Sequence, residues 1–325
     1  MPKLDYILRR MLKAIVIVFC IAVLNFALIR LAPGDPATVI AGEAGAGDAA
    51  FVQQLREQFG LDRPLHEQLF RYIKGLTSFD LGVSYRQKED VTTLILERLP
   101  ATLLLAGVAF SLAVGLGITL GAVAAMRAGR WADTAITVLA LGFYATPLFW
   151  AGLMASLLFS VHLGWLPAFG MESIGAGYDG VRRALDIAHH LILPATTLGL
   201  FYMAVYARLT RASMLEVTQM DYVRTARAKG LRQGRITRQH VLRNAILPVI
   251  TFAGLNAGHL VGGSVLVETV FAWPGLGRLT FDALMQRDYN LLLGVLLVMS
   301  TIVVAFNLAT DLIYSVVDPR IELAK

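Results

Sequence analysis

Uninterrupted apolar runs are the dominant pattern along this chain. Four of them contain no Asp, Glu, Lys or Arg, and each is longer than the ~20 residues that an α-helix needs to cross the hydrocarbon core of a membrane. We therefore predict a membrane-spanning helix from each of the four runs. They cover Thr102–Met126, Thr134–Val161, Asn244–Val267 and Tyr289–Thr310.

Two further runs bring the number of predicted spans to six. Met11–Leu31 has Lys13 and Arg30 close to its ends, where long basic side chains can reach the polar headgroups. Leu191–Ala207 is shorter, and it attains spanning length only when the neutral His189–His190 side is included. The first span has the basic start of a signal peptide but no clear small-x-small cleavage site, so we expect it to remain as an anchor.

The composition supports burial in lipid. Hydrophobic residues make up 56% of the 325 residues and charged residues 16%, whereas soluble domains average about 45–50% and about 25%. This excess argues against a soluble enzyme and against a disordered chain. The single cysteine, Cys20, cannot form a disulfide within the chain, which excludes a disulfide scaffold. The predicted fold class is an all-α membrane protein with six transmembrane helices.

Basic residues are concentrated on one side of the predicted membrane. Segment 208–243 holds nine Lys or Arg against two acids, the N-terminal tail holds four and the 127–133 turn holds two. The loops 162–190 and 268–288 together hold four basic and six acidic residues. Because short cytoplasmic loops carry the Lys/Arg excess, we predict that both termini are cytoplasmic. The basic loop has one aromatic residue, Tyr222, which favours contact with anionic membrane lipid over a nucleic-acid partner.

The predicted organisation has three parts. Residues 1–31 form the N-terminal tail and the first transmembrane helix, and residues 32–101 form an outer segment. Residues 102–325 form a five-helix core that includes the basic cytoplasmic loop 208–243. Periodic apolar residues in the outer segment predict a helical hairpin, with its first helix ended by Gly60.

Several kinds of chemistry are excluded by the sequence. No Gly-Lys dipeptide occurs, so the chain has no P-loop for ATP. His189 and His190 are adjacent, so on a helix they point about 100° apart and are not expected to hold one metal ion. Ion-driven carriers place charges inside the bilayer, whereas these spans have Asp311 near one end and few others. The energy for any pumping must then come from a partner, which favours a passive pore or the membrane subunit of a larger assembly.

The cytoplasmic loop contains a short segment in which small and basic residues alternate. It reads DYVRTARAKGL from Asp221 to Leu231, and Gly230 is predicted to end a short helix. Small residues such as Ala226 allow close approach of another protein, and the flanking arginines can pair with its carboxylates or carbonyls. An ordinary amphipathic connecting helix is the alternative interpretation.

This loop resembles the cytoplasmic EAA loop of binding-protein-dependent ABC importer permeases, in the dipeptide/oligopeptide/nickel family. Other segments resemble signatures of the same family and occur in the expected order. Arg224-Thr225-Ala226 stands where the general motif has Glu-Ala-Ala, and Leu247-Pro248 follows Gly230 later than in the general pattern; both departures are normal in the peptide branch. In addition, Phe79 replaces an expected glycine before Asp80. The matching segments are Leu28–Pro36, Gly60–Leu65 with Phe79–Tyr85, Trp273–Arg278 and Asp318–Arg320.

The resemblance implies a type I ABC importer permease fold in the inner membrane of a bacterium. It implies a non-catalytic subunit without a cofactor of its own, because ATP and Mg are bound by two separate ATPase subunits. The other implied partners are a second homologous permease and a periplasmic or lipid-anchored substrate-binding protein. The cytoplasmic loop would supply the coupling helix, whose expected ATPase contacts are Asp221, Tyr222, Arg224, Thr225, Ala226, Arg227, Lys229 and Gly230.

Small residues and prolines mark positions where the spans pack closely or bend. Gly254, Gly258 and Gly262 recur at four-residue spacing, which predicts close helix packing either within the chain or against the second permease. Pro147 and Pro194 lie inside predicted spans and are candidates for kinks.

The outer loop combines aromatic, proline and glycine residues. Trp273, Pro274, Gly275 and Gly277 are expected to cover the pathway or to contact the substrate-binding protein. An aromatic anchor at the membrane interface is the alternative.

Other functions stay open at the level of sequence. A passive channel or secondary carrier of similar topology is one alternative, and a carrier would predict a charged or discontinuous helix in the core. A membrane assembly factor is another. Peptides are the expected cargo of this branch, with nickel, glutathione or another small solute as alternatives.

Overall fold

The computed structural model describes residues 4–31, 36–43, 48–58 and 60–317. These residues form helices joined by turns, with an isolated β-bridge between Val83 and Asp90. Two π-helical turns, Leu157–His162 and Ile236–Leu242, continue helices α7 and α10. The helices are α1 Leu4–Leu31, α2 Pro36–Glu43, α3 Ala49–Gln58, α4 Leu65–Thr77, α5 Val91–Met126, α6 Trp131–Ala145, α7 Leu148–Ser156, α8 Gly180–Thr218, α9 Asp221–Ala228, α10 Gln233–Arg235, α11 Arg243–Val270, α12 Leu276–Met285 and α13 Tyr289–Val317.

Five helical stretches in the described chain are long and apolar enough to cross a membrane, and a bent pair supplies the sixth span. The bent pair is α6 with α7, whose axes differ by 101° on either side of Thr146 and Pro147. The six-span prediction is therefore confirmed when this pair counts as one span. Pro147, which the sequence marks as a candidate kink, lies at this bend, because proline cannot continue the helical hydrogen-bond ladder. Pro194, in contrast, lies within the continuous helix α8.

The outer segment contains α2, α3 and α4, and α3 ends next to Gly60, as the sequence predicts. Gly60 follows α3 with a positive φ of 65°, and Pro64 precedes the first residue of α4. Ring stacking between Phe26 of α1 and Tyr72 of α4, with centroids 5.8 Å apart, holds the outer segment against the first span. Phe59, residues 32–35 of the motif at 28–36, and the whole motif at 318–320 lie outside the described residues.

A buried aspartate fastens the outer segment to the core. Asp288 precedes α13, and its carboxylate accepts hydrogen bonds from the hydroxyl of Ser84 and from the backbone N–H of Arg86 at 3.1 Å. The side-chain amide of Asn290 donates to the carbonyl oxygen of Val83 at 3.1 Å. The Phe79–Tyr85 segment therefore docks on the outer end of α13.

Close contact between α5 and α8 forms the centre of the bundle. A Cβ atom added at Gly117 would lie 3.1 Å from the backbone nitrogen of Ala207, and one added at Gly199 would lie 3.1 Å from the carbonyl oxygen of Ala109. Glycine at these positions lets the two backbones approach, as in other membrane helix pairs. At the cytoplasmic end of the bundle, Asp311 of α13 pairs with Arg10 of α1 at 2.6 Å.

Candidate functional site

Helix α9 lies against the cytoplasmic ends of the spans. It begins three residues after the end of α8, and its Val223 and Ala226 side chains are buried. Both belong to an apolar cluster that joins α5, α8, α9 and the start of α11. The other buried members of this cluster are Ala122, Met214, Ile236, Val241 and Ala245. The cluster holds α9 in a fixed orientation relative to the spans.

The opposite face of α9 is exposed and basic. The Arg224 side chain is largely exposed, and its guanidinium lies 3.5 Å from the carboxylate of Asp221, which is exposed as well. Tyr222, Arg227 and Lys229 are exposed on the same helix or at its end. An isolated surface pair of this kind contributes little to stability, so these charges are available to a partner.

Gly230 ends α9 as the sequence predicts. Its φ is 75°, in the left-handed region that favours glycine. The N–H of Leu231 donates to the carbonyl of Ala226 at 3.3 Å, and the N–H of Gly230 donates to that of Arg227 at 2.9 Å. This is the Schellman pattern of a helix C-terminus.

The predicted ATPase contacts of α9 do not all lie on one surface. Asp221, Tyr222, Arg224, Thr225, Arg227 and Lys229 are exposed, whereas Ala226 faces the inside of its own chain. Ala226 was expected to let a partner approach, and in the structure it lets α9 approach the chain's own helices.

The three glycines of α11 at four-residue spacing, Gly254, Gly258 and Gly262, also differ in their surroundings. Gly254 packs on Thr310 and Gly258 on Val303 of α13, with an added Cβ at Gly258 lying 3.0 Å from the Cα atom of Val303. Nothing lies within 4 Å of a Cβ added at Gly262, which is exposed. The difference arises because four residues turn an α-helix by about 40° more than one full turn.

The outer loop is built around a buried tryptophan. Trp273 is 0% exposed, and its indole N–H donates to the carbonyl oxygen of Ala101 at 2.9 Å. A Cβ added at Gly277 would lie 2.6 Å from the Cα atom of Val265, so only glycine fits there. Because its ring is buried within the chain, Trp273 does not act as an aromatic anchor at the membrane interface, which was the alternative interpretation of this loop.

Glu268, near the end of α11, stabilises this loop through hydrogen bonds. Its buried carboxylate accepts hydrogen bonds from the hydroxyls of Thr102 at 2.9 Å and Ser264 at 2.8 Å, and from the backbone N–H of Arg278 at 3.1 Å. Gly275 packs directly against Glu268 and Thr102, and an added Cβ would collide with both. Glu268 was predicted to lie in the outer loop, but it lies in the last turn of α11.

A second polar link lies at the cytoplasmic side. Arg211 of α8 donates from Nε and Nη2 to the two carboxylate oxygens of Asp133 at 2.6 and 2.8 Å. The N–H of Gly129 also donates to Asp133 at 3.0 Å. The pair ties the start of α6 to the part of α8 that leads into α9.

The outer surface is stabilised by a charged contact. Glu172 lies in the loop between α7 and α8, and Arg183 donates to both of its carboxylate oxygens at 2.8 Å. These hydrogen bonds hold the pKa of Glu172 below its ordinary value. The N–H of Gly170 in the same loop donates to the carbonyl oxygen of Phe271 at 2.8 Å, which joins this loop to the end of α11.

Two models of known protein families match this chain. The family model described as "Binding-protein-dependent transport system inner membrane component" matches residues 117–323, and that of the corresponding N-terminal region matches residues 3–106. The chain belongs to this family of permease components. The resemblance seen in the sequence is thereby confirmed.

Relatives in this family align along nearly the whole chain. The dipeptide transport system permease protein DppB of Escherichia coli K12 is 41% identical over 99% of this chain and 100% of its own length. DppB of Alkalihalophilus pseudofirmus is 39% identical over 98% and 99%. The di/tripeptide transport system permease protein DppB of Pseudomonas aeruginosa is 40% identical over 98% and 99%.

Solved structures show that the fold is that of an ABC importer permease. An inward-facing structure of the MetNI methionine ABC transporter superposes with a TM-score of 0.56 at 19% identity, covering 69% of this chain and 96% of that chain. An amino acid ABC transporter with histidines gives a TM-score of 0.51 at 17% identity, covering 68% and 93%. This permease component is a multi-pass inner-membrane protein and a non-catalytic transport subunit.

Proposed function

We propose that this permease subunit forms half of the translocation pathway of an ATP-driven peptide importer and that the exposed face of α9 docks on a cytoplasmic ATPase. The observation that carries the docking surface is the division of α9 into a buried apolar face and an exposed basic face. The buried face fixes α9 to α5, α8 and α11, so a force applied to the exposed face reaches the spans.

The proposed ATPase contacts are the exposed residues of α9 and its C-terminal turn. Asp221, Tyr222, Arg224, Thr225, Arg227 and Lys229 would face the ATPase, and Arg side chains suit pairing with carboxylates in its groove. Ala226 and Gly230 act indirectly, since the first packs α9 onto the bundle and the second shapes the end of the helix.

The proposed assembly contains a second permease, two ATPase subunits that bind ATP and Mg, and a substrate-binding protein on the outer side. Gly254 and Gly258 pack within the chain, so the exposed Gly262 is the one of the three α11 glycines that would contact the second permease. Trp273, Pro274, Gly275 and Gly277 set the position of α12 and the surrounding outer surface, on which the binding protein would dock.

The proposed cargo is a short peptide. The relatives that cover the full chain are named as dipeptide and di/tripeptide permeases, and identities near 40% support the same cargo class. A discontinuous helix would be expected of a secondary carrier, but the broken third span occurs here within an ABC importer permease fold.

A matched pair of charge reversals tests the docking surface. The double variant Arg224→Glu/Arg227→Glu changes the exposed face of α9, and Arg127→Glu/Arg130→Glu makes the same change in the α5–α6 turn on the same side of the membrane. Each tagged protein is purified gently from native membranes. We expect the ATPase to co-purify with wild type and with the control variant, and to be lost with the α9 variant together with dipeptide uptake.

Two results would contradict the proposal. A wild-type chain that purifies without an ATPase in every mild detergent would argue against the importer assembly itself. Retention of the ATPase by the α9 variant would instead place the docking surface elsewhere on the cytoplasmic side.

A further inference from the structure

A cavity of about 330 Å³ lies between α5, α6 and α8. Leu141, Tyr144 and Arg208 are part of its lining and are exposed, so the cavity opens at the surface of the bundle. Apart from Thr137, Tyr144 and two arginines, the lining consists of Ala, Val, Leu and Ile side chains. Such a lining offers water few hydrogen-bond partners, whereas a hydrocarbon chain matches it.

The cavity extends from the cytoplasmic end of the bundle into the hydrocarbon region. Its polar end lies beside Asp133, in the first turn of α6, which Arg211 contacts. Trp131, at the start of α6, is 82% exposed, as is typical of an aromatic residue at the membrane interface. Tyr144 lies 11 residues beyond Asp133, or about 16 Å along the helix. This is about the depth of one leaflet, since the whole hydrocarbon core is about 30 Å thick.

The two arginines at the cytoplasmic end of the cavity differ in their partners. Arg211 donates to both carboxylate oxygens of Asp133. Arg208 lies three residues earlier in α8, on the membrane side of this pair, and forms no hydrogen bond or ion pair with the described residues. It was predicted to begin the cytoplasmic loop, but α8 continues to Thr218. Ionisable side chains within membrane helices are almost always paired, so Arg208 calls for an anion.

The charge around the mouth of the cavity is positive. Segments 124–144 and 204–211, which supply the lining, contain a single acid, Asp133, and this acid is already paired. The adjoining α5–α6 turn adds Arg127 and Arg130, which are both exposed. A negatively charged group from outside the chain would therefore be attracted to this end of the cavity.

We propose that this cavity binds an anionic phospholipid of the cytoplasmic leaflet, with its phosphate on Arg208 and one acyl chain between Ala140 and Ala204. A guanidinium group suits a phosphate because it can donate two parallel hydrogen bonds. Basic pockets between membrane helices on the cytoplasmic side are suited to lipid headgroups. The acyl chain would fill space between α6 and α8 that the side chains leave open. The lipid site does not depend on the cargo of the importer.

Photolabelling of the complex purified from native membranes tests the site. The probe is a phosphatidylglycerol that carries a diazirine in one acyl chain. The complex is placed with this probe in phosphatidylcholine nanodiscs and irradiated, and mass spectrometry identifies the labelled peptides. A phosphatidylcholine with the same diazirine is the control probe, because it has the same acyl chain but no net charge.

Two matched pairs of variants separate the headgroup contact from the acyl-chain contact. Arg208→Gln removes the unpaired guanidinium, and its control is Arg243→Gln, an exposed arginine at the cytoplasmic start of α11. Ala140→Phe fills the apolar part of the cavity. Its control is Leu139→Phe, since Leu139 is 63% exposed and does not line the cavity.

We expect the charged probe to label residues 136–144 and 204–208 of the wild-type chain. Labelling should fall about five-fold in Arg208→Gln, which is the effect of one basic residue close to an anionic membrane surface. It should fall at least as much in Ala140→Phe and with the phosphatidylcholine probe. Arg243→Gln and Leu139→Phe should label like wild type. Unlabelled phosphatidylglycerol should compete with the probe, whereas glycerol phosphate should not.

Four results overturn the inference. Equal labelling by the two probes would show that the cavity merely faces bulk lipid, and undiminished labelling of Arg208→Gln would exclude the headgroup contact. Competition by glycerol phosphate would indicate a site for a free anion. Labelling of the isolated chain that is absent from the purified complex would show that the second permease covers the cavity. Arg208 is exposed, so its variant gives a result even where Ala140→Phe fails to fold.

Discussion

Among the helices that the structure describes, three are followed by a left-handed residue that is not glycine. Phe79, Ala272 and Arg287 have φ angles of 57°, 49° and 53°, and each stands where a Schellman motif favours glycine. At Phe79 the N–H of the next residue, Asp80, donates to the carbonyl of Gly75 at 3.0 Å. The family resemblance also expects glycine at 79, so sequence comparison and backbone geometry identify the same strained position.

The substitution Phe79→Gly should stabilise the protein. A left-handed conformation costs a non-glycine residue about 1–2 kcal/mol, and Phe79 is 85% exposed, so little packing is lost. The control is Phe70→Gly, because Phe70 is 70% exposed but lies inside α4, where glycine costs about 1 kcal/mol. Thermal unfolding in detergent should show a higher midpoint for the first variant and a lower midpoint for the second. A lower midpoint for both would contradict the assignment of strain to Phe79.

At the scale of single helices, the number of spans could be predicted because a run of about 20 apolar residues is a local property of the sequence. Pro147 and Pro194 were both candidate kinks, but which of them breaks its span could not be predicted, since a proline can either kink or interrupt a helix. Glu268 was missed because one of its partners, Thr102, is 166 residues away. The inward orientation of Ala226 likewise depends on Ile236 and Val241, which follow α9.

Because α5 packs closely on α8 at some positions only, glycine-to-alanine substitutions in α5 should have opposite effects on stability at different positions. A Cβ at Gly121 would collide with the backbone of Ala207, whereas nothing lies within 4 Å of a Cβ at Gly115. We expect Gly121→Ala to destabilise the protein by about 1–3 kcal/mol through overpacking. Gly115→Ala should leave stability unchanged or raise it, because alanine favours the helix. Thermal unfolding measures both, and equal effects at the two positions would rule out close α5–α8 packing as the cause.

At the scale of the whole molecule, the cytoplasmic and outer ends of the bundle are held by different polar links. Asp133 and Arg211 join α6 to α8 next to α9, while Glu268 and Asp288 secure the outer loop and the outer segment. The Asp133–Arg211 pair therefore lies between the proposed ATPase contact and the span that contains the break.

Loss of this pair should uncouple ATP hydrolysis from transport. Arg211→Gln removes the bidentate contact with Asp133 but leaves the exposed face of α9 unchanged, so the ATPase should remain bound. Dipeptide uptake per ATP hydrolysed should fall about ten-fold, within the range typical of coupling between two sites. Arg182→Gln, at the outer end of the same helix, is the control and should retain wild-type stoichiometry. A proportional loss of hydrolysis and uptake in Arg211→Gln would indicate a defect in assembly instead.

The docking of Ser84 on Asp288 also sets an order of events during synthesis. The two residues are separated by 204 positions, and chains elongate at about 5–20 residues per second, so Ser84 precedes its partner by about 10–40 s. Throughout that interval the outer segment lacks its anchor on α13. The nascent chain therefore docks its outer segment only after Asp288, at the start of the last span, has been synthesised.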